Sequence, residues 1–353
     1  MKKILLSIFA VAALFSCSKS DITYDDQPQE IALAPFTIKN TKAAVEDNIY
    51  PTGLNMYVFA NIQDVGTDGS LLNTWKSPYF KNALFVHKGD AIFSGETPYH
   101  WPNVRSLKFT GLTASGNVNN DAEPTVNNET MAISLSGYEP GIGTQTAGDN
   151  DLMWFSVTEA YSKETGSSDT KNYKGETVDG HFDVTMKHAC SWITINIKGD
   201  ATTGVTNTTW KITDLTLKNV ALSGDVVLGS EAEWSNCSDY EDLQAYTGEN
   251  ALTTANVDYT KITIKDLILV PQETKTLTLT YKYVSQKGAA DDGSEDIVIT
   301  EVKDIPLTYN GTNPWLPGVH YTYNITIGTS EILIEPTVLE WTEQTDVEID
   351  DLN

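Results

Sequence analysis

The sequence has few basic residues for its length, and this scarcity excludes one large class of partners. There are 23 Lys and Arg residues against 48 Asp and Glu residues, which gives a formal net charge of −25 over 353 residues. A surface this acidic repels nucleic acid and anionic lipid headgroups. We therefore expect no nucleic-acid partner.

Residue patterns that support catalysis or metal binding are also scarce. The five histidines form no His-x-His and no His-Glu-x-x-His pair, the spacings that place two imidazoles on one metal. The acidic cluster at residues 291–296 lacks the alternating order of a calcium loop. No Gly-x-Ser-x-Gly elbow and no paired-carboxylate arrangement is visible. We therefore expect no enzyme activity, no catalytic residue, no metal and no cofactor.

Long amphipathic helical patterns are almost absent, and the period-two alternation of half-buried strands recurs instead. It is clearest at residues 193–198, 214–218, 276–283 and 321–327. Thr, Val, Ile and Tyr, which fit a pleated surface, dominate these runs. Gly, Asn, Asp and Ser clusters lie between them and predict turns. Many short strands separated by turns predict an all-β chain built of sandwiches.

One apolar run at the N-terminal end has the organisation of a secretory signal. Two lysines precede residues 4–15, which are apolar or small and shorter than the roughly 20 residues of a membrane-spanning helix. This pattern predicts a signal peptide over residues 1–16 that is removed. The segment 14–17 resembles the bacterial lipobox, which implies that the Cys17 thiol is acylated. Cys17 is thus the predicted lipidation site, and outer-membrane lipid is the partner it implies.

A tether and two large segments follow. Residues 17–30 are polar and acidic and cannot bury enough apolar surface to order themselves. The remaining length predicts about two domains. Strand patterns become denser after long polar stretches at 111–151 and 161–180, which we predict to be surface loops. We expect an N-terminal β-sandwich domain over 31–184 and a C-terminal one, with a terminal strand, over 185–353.

The remaining cysteines leave an open question. Cys190 and Cys237 would lie in a compartment where a disulfide persists. The sequence does not indicate whether they meet. A disulfide and two free thiols are therefore both compatible with it.

Aromatic residues support an alternative function. Five tryptophans lie in or beside apolar strands and are expected in the core, namely Trp101, Trp154, Trp192, Trp315 and Trp341. Trp75 and Tyr79 lie in a polar stretch and are candidates for exposure. Exposed aromatic rings stack on sugars, so the alternative is a surface glycan-binding lipoprotein of a polysaccharide-uptake system.

The order of several short motifs resembles one known family. The motifs are YHWP at 99–102, LKFT at 107–110, DNDLM at 149–153, VTMKHA at 184–189, LTLKNV at 215–220, LVPQ at 269–272 and PGVHYTYNI at 317–325. Together with the lipobox, this order resembles the fimbrillin family of Bacteroidetes, in particular its Mfa-like branch, over about residues 31–341. The resemblance implies two tandem transthyretin-like β-sandwich domains, export to the cell surface as a lipoprotein, and no enzymatic activity.

The resemblance also implies assembly by donor-strand complementation, with other fimbrial subunits as partners. In that family an N-terminal strand is removed by proteolysis, and a strand of the next subunit fills the vacated groove. The candidates for the displaced strand are Ile31, Leu33, Phe36 and Ile38, and the candidates for the processing site are Lys39 and Lys42. The family often has an arginine at that site. Because no arginine precedes Arg105, a first strand that is never removed remains an alternative.

The C-terminal end contains a candidate donor strand. Val347 and Ile349 alternate with acidic residues, which is compatible with a short donor strand and equally with an acidic tail. Shaft, tip and anchor positions in a fimbria therefore stay open. A structural fimbrial subunit that mediates adhesion, with a host or bacterial surface receptor as a further partner, is the leading hypothesis.

Overall fold

The structure is a computed structural model of the chain. It describes residues 30–37, 55–89, 92–102, 104–140, 151–156, 160–163, 169–172, 177–179, 182–199, 208–252, 262–273, 275–285, 297–308, 314–327 and 332–340. Every regular element in these segments is a β-strand. The prediction of an all-β chain is therefore confirmed.

Twenty strands follow one another along the chain. They are β1 (Ala32–Thr37), β2 (Asn55–Ile62), β3 (Ser77–Gly89), β4 (Ile92–Gly95), β5 (Leu107–Thr113), β6 (Thr125–Val126), β7 (Ile133–Tyr138), β8 (Met153–Ser156), β9 (Tyr161–Lys163), β10 (Asp169–Asn172), β11 (Thr177–Asp179), β12 (Phe182–His188), β13 (Ser191–Gly199), β14 (Thr208–Leu228), β15 (Ala232–Leu252), β16 (Ile262–Leu269), β17 (Thr276–Ser285), β18 (Ile297–Pro306), β19 (Val319–Ile327) and β20 (Ile332–Glu340).

Seven strands of the first sheet close on themselves. Their order is β5-β2-β3-β4-β1-β12-β8, and β8 pairs in turn with β5. Strands β9, β10 and β11 extend the sheet beyond β5. All seven strands contribute residues to one core, and in β2, β5, β8 and β12 these are alternate residues, because successive side chains of a strand point to opposite faces. Trp101 also belongs to this core.

Two further sheets face each other across a second core. One has the order β16-β13-β19-β20, and the other has the order β18-β17-β14-β7-β6, with β15 paired to β14. Residues 193, 195 and 197 of β13 pack with alternate residues of β14, β17 and β19. Trp315 is fully buried among them and donates its indole N–H to the hydroxyl of Tyr323 at 2.9 Å.

A third core combines residues of the first sheet with residues of the two later sheets. Strand β7 pairs with the C-terminal part of β14, so residues 133–138 share a sheet with β17 and β18. Ile133, Leu135 and Tyr138 pack here against Trp192 and Val226. The predicted domain boundaries stay a prediction.

The prediction of long surface loops at residues 111–151 and 161–180 is partly wrong. Strands β6 and β7 lie within 111–151, and β9, β10 and β11 lie within 161–180. The apolar side chains of β7 are separated by polar residues such as Ser134, and its run is too short for alternation to stand out. The partner β14 supplies the pairing that makes this segment a strand.

His320 lies beside the third core and gives the fold a pH-dependent element. Its ring stacks on the indole of Trp192 with 3.6 Å between centroids, and its Nε2 lies 3.0 Å from the hydroxyl of Thr194. Burial disfavours the charged imidazolium and lowers the pKa of His320 from 6.5 to about 4.

Stability is therefore expected to fall as the pH decreases from about 6.5 to 4. In this window the unfolded chain binds a proton at His320 that the folded chain does not, so protonation favours unfolding. Between pH 7.5 and 4.5 the wild type should lose about 2 kcal/mol more free energy of unfolding than His320→Gln. Urea unfolding of both proteins at the two pH values measures the difference. Equal losses would contradict the assignment.

Candidate functional site

The first strand joins two strands that would otherwise be edges. Strand β1 runs parallel to β12, with residues 33–37 opposite 182–186. On its other side it is antiparallel to β4, with residues 32–33 opposite 93–94. The seven-stranded closure therefore depends on β1.

The start of this strand is anchored in the first core. Ile31 and Leu33 have no exposed surface and pack in the same cluster as Phe93 and Phe182. The amide N–H of Ile31 donates to the carbonyl of Tyr99 at 2.7 Å. Burying one such aliphatic side chain contributes about 1.5–3 kcal/mol. These two residues hold β1 in a groove lined by aromatic side chains.

In the second half of β1, only one edge is paired with another described strand. Residues 34–37 pair with β12 but not with β4. Pro35 lies in this half, opposite Val184. A proline lacks the N–H donor, and it is tolerated in strands whose edge is free. Phe36, a predicted displaced-strand residue, also lies here, opposite Thr185.

The other predicted site residues lie outside the described segments. They are Cys17, Ile38, Lys39, Lys42, Val347 and Ile349. Their predicted roles in lipidation, processing and strand donation stay predictions.

The aromatic pair predicted to be exposed is held by contacts within the chain. The indole N–H of Trp75 donates to the hydroxyl of Ser106 at 3.0 Å, and the ammonium of Lys108 lies 4.6 Å from the centre of a Trp75 ring. The Tyr79 hydroxyl donates to the carbonyl of His100 at 2.7 Å. A cation already occupies one face of Trp75. Tyr79 is 37% exposed, as predicted, whereas Trp75 is only partly exposed. The contacts of both rings within the chain count against a free sugar-stacking platform.

The expected core positions of four tryptophans are confirmed. Trp101, Trp154, Trp192 and Trp315 are all buried. Trp341 lies outside the described residues.

A buried polar network at the third core was not expected from the sequence. The carboxylate of Asp151 lies 2.9 Å from Nδ1 of His188, and the two side chains are 1% and 5% exposed. Thr113 accepts a hydrogen bond from the amide of Met153 at 2.9 Å and donates one to the carbonyl of Asp151 at 3.0 Å. Asp151 and His188 occur within two of the short motifs, but no spacing relates them.

Both cysteines of the described residues are free thiols. Cys190 is fully buried beside this network, and Cys237 is partly exposed on β15. Burial raises the pKa of the Cys190 thiol far above its ordinary value, which keeps it protonated and unreactive. No group of three or more His, Cys, Asp or Glu residues in the described part of the chain has the geometry to hold a metal ion.

Comparison with known proteins gives a consistent result. A family model described as fimbrillin-like matches residues 41–341. No curated protein matches the chain in sequence. A crystal structure of a fimbrial protein from Bacteroides vulgatus is 14% identical, covers 89% of this chain and 100% of its own, and superposes with a TM-score of 0.59. At this identity the similarity shows a shared fold.

Two other fimbrial structures align over similar lengths. A fimbrial assembly protein from Parabacteroides distasonis is 12% identical over 88% of this chain and 98% of its own, with a TM-score of 0.37. The tip fimbrial protein Mfa3 from Porphyromonas gingivalis is 12% identical over 88% and 100%, with a TM-score of 0.35. These superpositions are too weak to carry an argument. Because the family model spans most of the sequence, as the motif order predicted, the chain belongs to the fimbrillin-like family.

Proposed function

We propose that this chain is a structural subunit of a surface fimbria, exported as a lipoprotein through Cys17 and assembled by donor-strand complementation. The observation that carries the proposal is the position of β1, which closes the first sheet and places Ile31 and Leu33 in its core. The membership of the fimbrillin-like family supports the same role. Adhesion is the activity that we expect of such a polymer.

The physical basis is the loss of pairing when β1 is removed. Strands β4 and β12 then present unpaired N–H and C=O groups beside an empty apolar groove. An incoming strand satisfies both needs at once. Because the contact is head-to-tail and does not close, it produces a filament.

The candidate donor lies at the other end of the chain. Val347 and Ile349 repeat the two-residue spacing of Ile31 and Leu33, the spacing that places two apolar side chains on one face of a strand. A donor this short fills part of the groove. Shaft, tip and anchor subunits are all compatible with it, and acylated Cys17 would hold the unprocessed form in the outer membrane.

Blocking the processing site should block assembly. We expect the double substitution Lys39→Gln and Lys42→Gln to leave the surface protein with its lipidated N-terminus and to remove it from high-mass polymers, because β1 then keeps the groove occupied. Mass spectrometry of the surface protein identifies its N-terminal residue. Gel filtration of the surface fraction measures the polymer.

A matched control changes two lysines of β3 that lie outside the candidate processing segment, Lys81→Gln and Lys88→Gln. This control should be processed and polymerised as the wild type. A wild-type surface protein that retains Cys17 and still forms polymers would show that β1 is permanent.

A further inference from the structure

Strand β18 is a long, regular edge strand. It pairs with β17 over all ten of its residues without a register shift, and it ends the order of the six-stranded sheet. Its other edge pairs with no strand among the described residues. Every second residue of such a strand directs its N–H and C=O groups away from the sheet, so the edge is a template for another strand.

Several other edge strands carry features that discourage pairing. Strand β20 has Pro336 in its middle, and β15 has four register shifts along β14. Strands β6 and β11 have only two and three residues. Proline, bulges and short length are the means by which natural sheets protect their edges. Strand β18 has a proline only at its last position, Pro306.

Three aliphatic side chains of β18 are exposed. Val298, Ile299 and Val302 are 55%, 46% and 61% exposed. Three large aliphatic side chains on one solvent-facing strand are costly to hydrate. The edge is therefore better suited to an interface than to permanent contact with water.

Two opposite charges flank the central valine of this edge. Glu301 and Lys303 lie on either side of Val302, and their side chains form an ion pair of 3.1 Å. The Tyr281 hydroxyl donates to the Glu301 carboxylate at 2.8 Å. In an antiparallel pair, residues that lie directly opposite share a face. If a two-fold axis relates two copies of β18, one residue at the axis must therefore lie opposite the same residue of the second copy.

Charge favours a centre at Val302 over centres at its two charged neighbours, Glu301 and Lys303. With the axis at Val302, Glu301 lies opposite Lys303 of the second copy, and symmetry repeats this pair. Moving the axis to Glu301 places two carboxylates opposite each other, and moving it to Lys303 places two ammonium groups opposite each other. Like charges at opposite positions destabilise a strand pair.

The same register matches the flanking residues. Ile299 lies opposite Ile305 of the second copy, so two aliphatic residues are paired on one face, although Ile305 is already buried in the second core. On the other face Thr300 lies opposite Asp304, so a hydroxyl donor meets a carboxylate. Asp304 accepts one hydrogen bond, from Thr278 at 2.7 Å, and has further acceptor capacity.

We propose that β18 pairs with β18 of a second copy of this chain, antiparallel and two-fold symmetric about Val302. The pairing joins two six-stranded sheets into one continuous sheet. It does not involve β1 or the C-terminal end, so it is independent of donor-strand assembly. A single strand pair buries less surface than the roughly 1,200–2,000 Å² of a stable interface, so two isolated copies should associate weakly. Where many copies are aligned in a polymer, the same contact is repeated and the association becomes strong.

Sedimentation of the chain from residue 18 onward, with β1 retained, tests this proposal. We expect concentration-dependent dimers, which Glu301→Lys and Lys303→Glu each weaken at least about tenfold by placing like charges opposite each other. An equimolar mixture of the two variants, and the double swap Glu301→Lys with Lys303→Glu, should restore dimers because opposite charges meet again. A wild type that stays monomeric up to about 1 mM, or a mixture that does not restore association, would overturn it.

A cysteine at the axis gives a second, covalent readout. Opposite residues of antiparallel strands lie about 4.5–5.5 Å apart, within the Cα separation of a disulfide. In a Cys237→Ser background, Val302→Cys should form a disulfide-linked dimer on mild oxidation. Val298→Cys is the matched control, since its opposite residue is Pro306, and it should remain monomeric. Equal cross-linking of the two variants would contradict the register.

Discussion

A chain that begins at Lys39 is expected to lose its stable monomeric fold and to recover it when a peptide of residues 30–37 is supplied. The truncation opens the closed sheet between β4 and β12 and removes Ile31 and Leu33 from the core. These two side chains alone contribute about 3–6 kcal/mol, which is comparable to the 5–15 kcal/mol of stability typical of a domain. The missing strand pairing adds to this loss.

Thermal unfolding and peptide binding measure this effect. The truncated chain should unfold at a markedly lower temperature than the intact chain, and the peptide of residues 30–37 should raise that temperature in proportion to its concentration. The same peptide with Leu33→Asp is the matched control. It should fail, because the groove admits an apolar side chain at that position.

The same truncated chain distinguishes the donor from an acidic tail. A peptide of residues 342–353 should also stabilise it if Val347 and Ile349 enter the groove. A further substitution, Ile349→Asp, should abolish polymer formation by the truncated chain. A truncated chain that unfolds like the intact one and ignores both peptides would refute donor-strand assembly.

The replacement Asp151→Ala is expected to destabilise the folded chain by about 3–5 kcal/mol. The mutation removes the carboxylate that lies 2.9 Å from His188 and leaves a buried imidazole nitrogen without this partner. His188 is the last residue of β12, a strand of the first sheet, and β13 begins three residues later beside the third core. Loss of the pair should therefore weaken the packing between the first sheet and the sheet that contains β13.

A double-mutant cycle separates the pair from its individual residues. Urea unfolding of Asp151→Ala, His188→Ala and the double variant gives the coupling free energy. We expect the double variant to be less destabilised than the sum of the single variants, since it leaves no orphaned polar group. Additive effects would show that the two residues act independently.

Alternation of side chains was sufficient to predict the class of fold and many core residues. The runs at 193–198 and 321–327 became strands whose odd-numbered apolar residues are buried. This works because the two-residue repeat of a strand is a local property of the chain. The motif order likewise predicted the family that the comparison then showed.

Strand partners could not be predicted in the same way. Strand β1 pairs with β12, roughly 150 residues away, and β7 pairs with β14. Every strand presents the same backbone N–H and C=O groups, so pairing is decided by how whole faces pack. The segment of β7 was predicted as a loop for this reason.

The sequence by itself determined that this chain is an acidic, all-β protein, because composition and period-two alternation depend on near neighbours alone. Only the tertiary structure decided that β1 closes a sheet, that Asp151 meets His188, and that β18 ends its sheet, among the described strands, with aliphatic side chains exposed. Each of these features joins or separates distant residues. Their positions follow from packing three cores at once, which no local pattern encodes.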